Sequence, residues 1–276
     1  MDFRVIYEIS RQELVINIRN RWTTIFAVVF GALVIAIAYT GMMVEGYSGT
    51  QGFARTSASL LNLVLYIVPL VALTMGTLSF TGDKGSTELL FSQPVSRGDV
   101  LLGKLTGVFF SICLSTLIGF TLGGAIVVAG TGGDGFSRYA LFVLLSLALS
   151  FVFLSLALVV STLSRRKSRA FGLALFLWFF FVLFYDLIAL GGTVLLRGQT
   201  ATMFLFLSLF GNPVDMVRVA TLIILDNVSI FGPAGAAMLR FFGGPVAGVL
   251  LLAAGLCVWG GIPLLVAGRL IEKQDI

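Results

Sequence analysis

The sequence predicts an all-α membrane protein: six transmembrane helices, an N-terminal amphipathic interface helix, and short extracellular helices between spans 5 and 6. Three observations predict it. Of 276 residues, 58% are hydrophobic and only 11% charged, where soluble domains carry about 25% charged residues. Mean hydropathy is +1.05, more apolar surface than a water-soluble fold of this size can bury. The apolar residues also come in continuous runs rather than short alternating segments, which selects helices over a β-barrel. A bilayer core needs about 20 apolar residues in a helix. Six runs qualify, and a single membrane domain over residues 1–276 accounts for the chain. No connection is long enough for a soluble catalytic domain, which needs roughly 50 residues.

The elements follow in order. In residues 1–20, Phe3, Ile6, Tyr7, Ile9, Leu14, Ile16 and Ile18 alternate with charge. This reads as an amphipathic helix at the interface, not as a signal peptide with its apolar core. Span 1 is Thr23–Val44, ending in Met42 and Met43. Thioethers suit Cu(I), but a copper site needs several converging donors. The chain has no His, so no metal site is assigned. Span 2 is Leu60–Phe80. The connection Thr81–Lys104 opens with Gly82 and Gly85, and then takes helical character with Ser86 as N-cap and Glu88 in the first turn. Ser92-Gln93-Pro94 stops it. Ser96-Arg97-Gly98-Asp99 then fits a capping box that opens the helix of span 3, Leu105–Gly130. Within it, Gly98–Lys104 matches the start of a P-loop. Leu105 stands where the Mg-binding hydroxyl belongs and no strand precedes, so it is rejected as a nucleotide site.

Span 4 is Tyr139–Leu163 and span 5 is Phe171–Leu190. Span 5 holds the only charge inside a run, Asp186, four residues from the outer end. A mid-bilayer acid costs roughly 2.5–3.5 kcal/mol, so Asp186 needs a partner or water. The long connection Gly191–Gly243 contains Met203–Phe210 and Val217–Leu225, apolar but too short to span, which read as re-entrant or surface helices. Gly211-Asn212-Pro213 breaks between them. Asp215 and Arg218 stand at i,i+3 and can pair on one helix face. Span 6 is Gly244–Gly268. Gly119-x-x-x-Gly123 and Gly244-x-x-x-Gly248 allow close helix approach, more often for internal packing than for a subunit interface.

Most of the 18 Lys and Arg fall on one side. Arg4, Arg11, Arg19 and Arg21, then Lys84, Arg97 and Lys104, then Arg165, Arg166, Lys167 and Arg169, then Arg269 and Lys273 share it. The other side has Arg55, Arg138, Arg197, Arg218 and Arg240. The positive-inside rule puts both termini in the cytoplasm. The net charge of +5 therefore describes topology, not a nucleic-acid partner. Cys113 and Cys257 lie in apolar runs and make neither a disulfide framework nor a zinc pattern.

Function classes narrow accordingly. An intramembrane enzyme needs a nucleophile with a base, or paired carboxylates, and the spans offer one Asp and no His or Lys. A stand-alone secondary transporter tends to show repeated halves and buried ionisable groups at the midplane, and no repeat is visible. A permease whose energy comes from another subunit fits best.

Thr87-Glu88-Leu89-Leu90, Gln93-Pro94-Val95-Ser96-Arg97 and Leu101-Leu102-Gly103-Lys104 resemble the gate and coupling region of ABC-2 type transporter permeases. Glu13 with Asn20-Arg21-Trp22, Leu177-Trp178 with Tyr185-Asp186-Leu187, and Asn212-Pro213-Val214-Asp215 before Arg218 sharpen this. The likeness is to the permease family of nitrous oxide reductase maturation exporters. The resemblance implies a plasma (inner) membrane homodimer with a cytoplasmic ABC ATPase subunit that holds ATP and Mg, so that the permease itself needs no cofactor. It also implies a periplasmic β-helix copper-handling protein docked outside, and a role in assembling the copper–sulfur centre of the reductase by exporting a sulfur species or related cargo. A drug, lipid or glycan is the alternative cargo. On this likeness Asp83, Gly85, Thr87, Glu88, Pro94, Arg97 and Lys104 couple to the ATPase, with the coupling acid open between Asp83 and Glu88. Asp186, Asn212, Asp215 and Arg218 mark the path or a partner contact.

Overall fold

The computed structural model describes residues 2–43, 50–81, 96–131, 135–164, 166–196, 198–225 and 232–272. The predicted coupling residues Asp83, Gly85, Thr87, Glu88 and Pro94 lie outside them. The described residues form helices: α1 Phe3–Ile18, α2 Arg21–Met43, α3 Thr50–Phe80, α4 Arg97–Thr131, α5 Phe136–Leu163, α6 Lys167–Phe179, a π-helical turn Phe180–Phe184, α7 Tyr185–Leu195, α8 Gln199–Ser208, α9 Pro213–Ile224, α10 Gly232–Phe242 and α11 Pro245–Glu272. Among the described residues six helical stretches are long and apolar enough to cross a membrane, Arg21–Gly41, Ser59–Phe80, Gly98–Ile126, Phe136–Leu163, Lys167–Leu195 and Pro245–Ile271, and the bent pair Gln199–Gly211 with Pro213–Ile224 would make a seventh if it crosses as one span. Each predicted span is there. The third starts seven residues earlier than expected and the fifth runs five residues further, because residues 98–104 and 191–195 continue the helix instead of breaking it.

Lipid tails are as apolar as the side chains they touch, so contact between spans is held by close packing rather than by hydrophobic burial. Spans 1 and 3 run side by side on this basis. A methyl group at Gly119 would stand 2.8 Å from Phe30 Cδ1, and one at Gly123 would collide with Val34 Cγ1. The Gly119/Gly123 pair is thus spent on internal packing, as expected. The ring of Phe120 meets Phe30, Phe142 and Tyr139 edge-on, with centroids 5.4, 5.5 and 6.1 Å away. The Tyr139 hydroxyl donates to the Phe120 carbonyl at 2.8 Å, which satisfies a buried polar group. Gly244 departs from expectation: with Gly243 it forms a left-handed turn, φ +119° and +79°. Gly244 and Gly248 therefore do not form a stripe on one helix.

The amphipathic N-terminal segment is a helix capped by Asp2, whose carboxylate accepts from Arg4 N–H at 3.0 Å. It packs along the first turns of α4. A Cβ at Gly103 would meet Ile9 Cβ at 2.7 Å, and one at Gly107 would meet Glu13 Cβ at 2.6 Å. Ser96 caps α4 by accepting from Asp99 N–H at 3.1 Å. The other half of the expected box is replaced: the Asp99 carboxylate accepts from Asp2 N–H at 3.2 Å, which ties the start of α1 to the start of α4. The P-loop-like residues 98–104 form the opening turns of this helix, so they make no phosphate-cradling loop.

Candidate functional site

Between spans 5 and 6 the chain folds inward. α8 with its 3₁₀ turn Leu209–Gly211, and α9 after it, meet at a bend of 106°. The break is Asn212-Pro213. Proline at the first helical position has no N–H to waste, and asparagine is a favoured N-cap. Asn212 Oδ1 accepts from Val214 N–H at 3.0 Å.

The break lies deep in the bundle. The Phe210 carbonyl accepts from Trp259 Nε1 on α11 at 2.9 Å, and the Phe181 carbonyl in the π turn accepts from Asn212 Nδ2 at 2.9 Å. Phe181 itself packs edge-on against Phe153 of α5 and Trp259. Non-helical backbone at such depth is tolerated only inside protein, and Asn212 and Val214 are fully buried. Nearly all of α9 is buried as well. The surface-helix alternative is therefore overturned for α9, while α8 keeps Met203, Leu205 and Leu207 exposed, and the bent pair has the form of a broken span or a re-entrant loop.

Four charged or polar groups meet at the break. Asn212 Nδ2 also donates to Asp215 Oδ2 at 2.9 Å. Arg218 Nη1 donates to Asp215 Oδ1 at 2.6 Å and to Asp186 Oδ2 at 3.1 Å. The structure thus brings together all four residues that the sequence marked in this half, including the expected i,i+3 pair. It also names the partner that Asp186 needs. Side-chain exposure rises across the cluster, from 10% at Asp215 through 26% at Arg218 to 41% at Asp186. The cluster sets two carboxyl groups against one guanidinium. Asp186 does not lie at the end of its helix: span 5 continues nine residues beyond it to Leu195, about 13 Å at the helical rise.

Three supports hold the cluster in place; the resemblance had marked Trp178 and Tyr185 but not what they bond to, and nothing marked the π turn. The π turn Phe180–Phe184 immediately precedes Tyr185 and Asp186, a type of bulge that often re-aims side chains at functional sites. The Tyr185 hydroxyl donates to the Ser208 carbonyl at 2.7 Å. Gly211 leaves room for that hydroxyl, which a Cβ there would strike. Further toward the other end of the span, Trp178 Nε1 donates to the Tyr66 carbonyl of α3 at 2.8 Å. The polar tips of Tyr and Trp gave the only available signal for these bonds, since such groups seek partners when buried.

The second candidate region lies at the opposite end. Of its predicted residues, Lys104 is described in full: its Nζ stands 3.6 Å from Glu13 Oε1 on α1. Arg97 opens α4.

Two kinds of comparison bear on these arrangements. A family model described as ABC-2 family transporter protein matches residues 7–275. A probable ABC transporter permease protein NosY from Stutzerimonas stutzeri is 35% identical over 286 aligned positions, covering 98% of this chain and 98% of its own. A protein of the same name from Pseudomonas aeruginosa is 35% identical over 285 positions, covering 99% of each chain.

Proposed function

The chain belongs to the ABC-2 family of transporter permeases, and we propose that it is the membrane half of an ATP-driven exporter serving nitrous oxide reductase maturation. The observation that carries this reading is the end-to-end likeness to NosY permeases, with no large segment of either chain left over. As a member of that family the chain is a transport subunit rather than a catalyst. In the proposed complex a cytoplasmic ABC ATPase binds ATP and Mg, docks beneath the 81–104 connection, and closes as it binds nucleotide. Its binding energy favours one access state of the spans over the other. Both termini face the cytoplasm, and a periplasmic β-helix copper-handling protein docks on the far side.

The broken helix pair supports a place for the cargo path. A carboxylate deep in a bundle does not face hydrocarbon, because the cost is several kcal/mol. The exposed edge of Asp186 therefore faces water or protein. Span 5, which carries it, is the least buried of the six. A second copy of the chain closing against that side would enclose Asp186 in a polar path between two permeases. A sulfur species or related small cargo passing there meets a polar wall.

Two experiments test the reading. Solubilised gently from native membranes, the tagged chain should carry an ABC ATPase with it, and a chain that purifies without one overturns ATP-driven export. Expressed in a denitrifying bacterium lacking its own NosY-type permease, it should restore nitrous oxide reduction. Restoration by Asp186→Asn at the wild-type level would remove Asp186 from the path.

A further inference from the structure

Glu13 is where three helices converge, and the path cluster at the other end makes no use of it. The geometry is specific. Glu13 Oε1 stands 3.6 Å from Lys104 Nζ, in the second turn of α4. Glu13 Oε2 accepts from Ser79 Oγ at 3.3 Å, at the last turn of α3. Asn17 Nδ2, one turn along α1, donates to the same Oε2 at 3.3 Å and to the Glu13 carbonyl at 2.9 Å. The pair is largely sheltered, with side-chain exposures of 12% for Glu13 and 16% for Lys104. Gly103 and Gly107 let α1 approach closely enough for this to happen: the Cβ that Gly107 lacks would stand 2.6 Å from both Glu13 Cβ and the Ser10 carbonyl. Asp2 N–H on the Asp99 carboxylate fastens the far end of the same interface.

Ser79 and Lys104 are the two roots of the 81–104 connection. One carboxylate on α1 therefore clasps the helix that enters the connection and the helix that leaves it. Held only by glycine contacts, α1 could slide on α4. With a sheltered ion pair to α4 and a hydrogen bond to α3, it moves with both. We infer that Glu13 is a positioning residue that binds α1 and the roots of spans 2 and 3 into one rigid unit, through which motion at the connection reaches the spans. The coupling role rests on the ATP-driven reading above; the clasp itself does not.

The test uses E13Q, E13K, K104E and the exchanged pair E13K/K104E in the full chain, alone and with its co-purified ATPase in nanodiscs. Ser79 and Asn17 can each donate or accept, so the exchanged pair can restore the clasp. Amide hydrogen exchange across α1 in the isolated chain should rise about 3- to 10-fold in the single variants, as for coupled neighbours, and return to within about twofold of wild type in the exchanged pair. In the complex, kcat for Mg–ATP hydrolysis should fall and recover by similar factors while KM for Mg–ATP stays put, because the nucleotide site lies on another subunit. Unchanged exchange in E13K and K104E overturns the clasp. Raised exchange with unchanged kcat overturns its part in coupling, as does a fall in kcat that the exchanged pair does not recover. A wild-type chain that retains no ATPase overturns the reading beneath the coupling role, while the exchange measurement still decides whether the clasp exists.

Discussion

Replacing Asn212 with alanine should cost this protein more stability than any exposed substitution. The side chain is fully buried and uses every hydrogen-bonding position it offers to the break: Oδ1 takes the Val214 N–H, and Nδ2 serves the Phe181 carbonyl and the Asp215 carboxylate. Alanine removes an N-cap worth about 1 kcal/mol. It leaves the Phe181 carbonyl short of a bond worth about 1 kcal/mol, and the buried Asp215 oxygen short of a charge-assisted one worth about 2 kcal/mol. The expected loss is roughly 4 kcal/mol, or about 8–16 °C in Tm for a chain of this size. Asn212→Ser keeps the cap and should lose about 1 kcal/mol less. Asn212→Asp also keeps the cap but sets a second carboxylate against Asp215, and should be the worst of the three. The assay is thermal unfolding in detergent, followed by the loss of the monodisperse peak in size-exclusion chromatography. An Asn212→Ala protein melting within about 2 °C of wild type, less than 1 kcal/mol by the same conversion, would refute the reasoning. So would an Asn212→Asp protein as stable as Asn212→Ser.

In the same assay Arg218→Gln should cost about 3–5 kcal/mol, because it strands the buried Asp215 carboxylate without its cation. Asp186→Asn, at the exposed edge of the cluster, should cost under about 1 kcal/mol. An Asp186→Asn loss as large as that of Arg218→Gln would mean that Asp186 is not at the exposed edge of the cluster. Gly123→Val drives a side chain into Val34 and should cost about 1–3 kcal/mol by overpacking, with Val34→Ala in the same chain recovering most of it. Failure of that rescue would move the Gly119/Gly123 face away from span 1. Alkaline phosphatase fused after Lys273 should be inactive and after Arg240 active, as the positive-inside rule requires; the reverse pattern inverts the topology.

Much of this molecule was legible before folding was considered. Span number follows from run length, since a bilayer of given thickness demands a given number of apolar residues. The Asp215–Arg218 pair was legible from i,i+3 spacing and the broken helix from Gly211-Asn212-Pro213, because both are local. The Gly103-x-x-x-Gly107 seat of α1 had the same spacing signal as Gly119-x-x-x-Gly123. It passed unread because its residues also imitate a phosphate loop, and because its partner helix is far away in sequence. The π turn has no local signature at all: Phe180–Phe184 is one more apolar stretch until Asn212, 31 residues on, takes a carbonyl from it.

The residue string by itself determined the solvent this chain lives in and the six apolar runs long enough to cross it. Each of these depends on composition and local order, which need no knowledge of what touches what. Tertiary structure alone decided that α9 is buried rather than superficial, that Asp186 answers to Arg218, and that Glu13 holds two helices from a third. The physical reason is that apolar segments of equal hydropathy are interchangeable to lipid but not to one another. Only when the helices pack do the few polar groups find which partners lie within about 3 Å, the reach of a hydrogen bond.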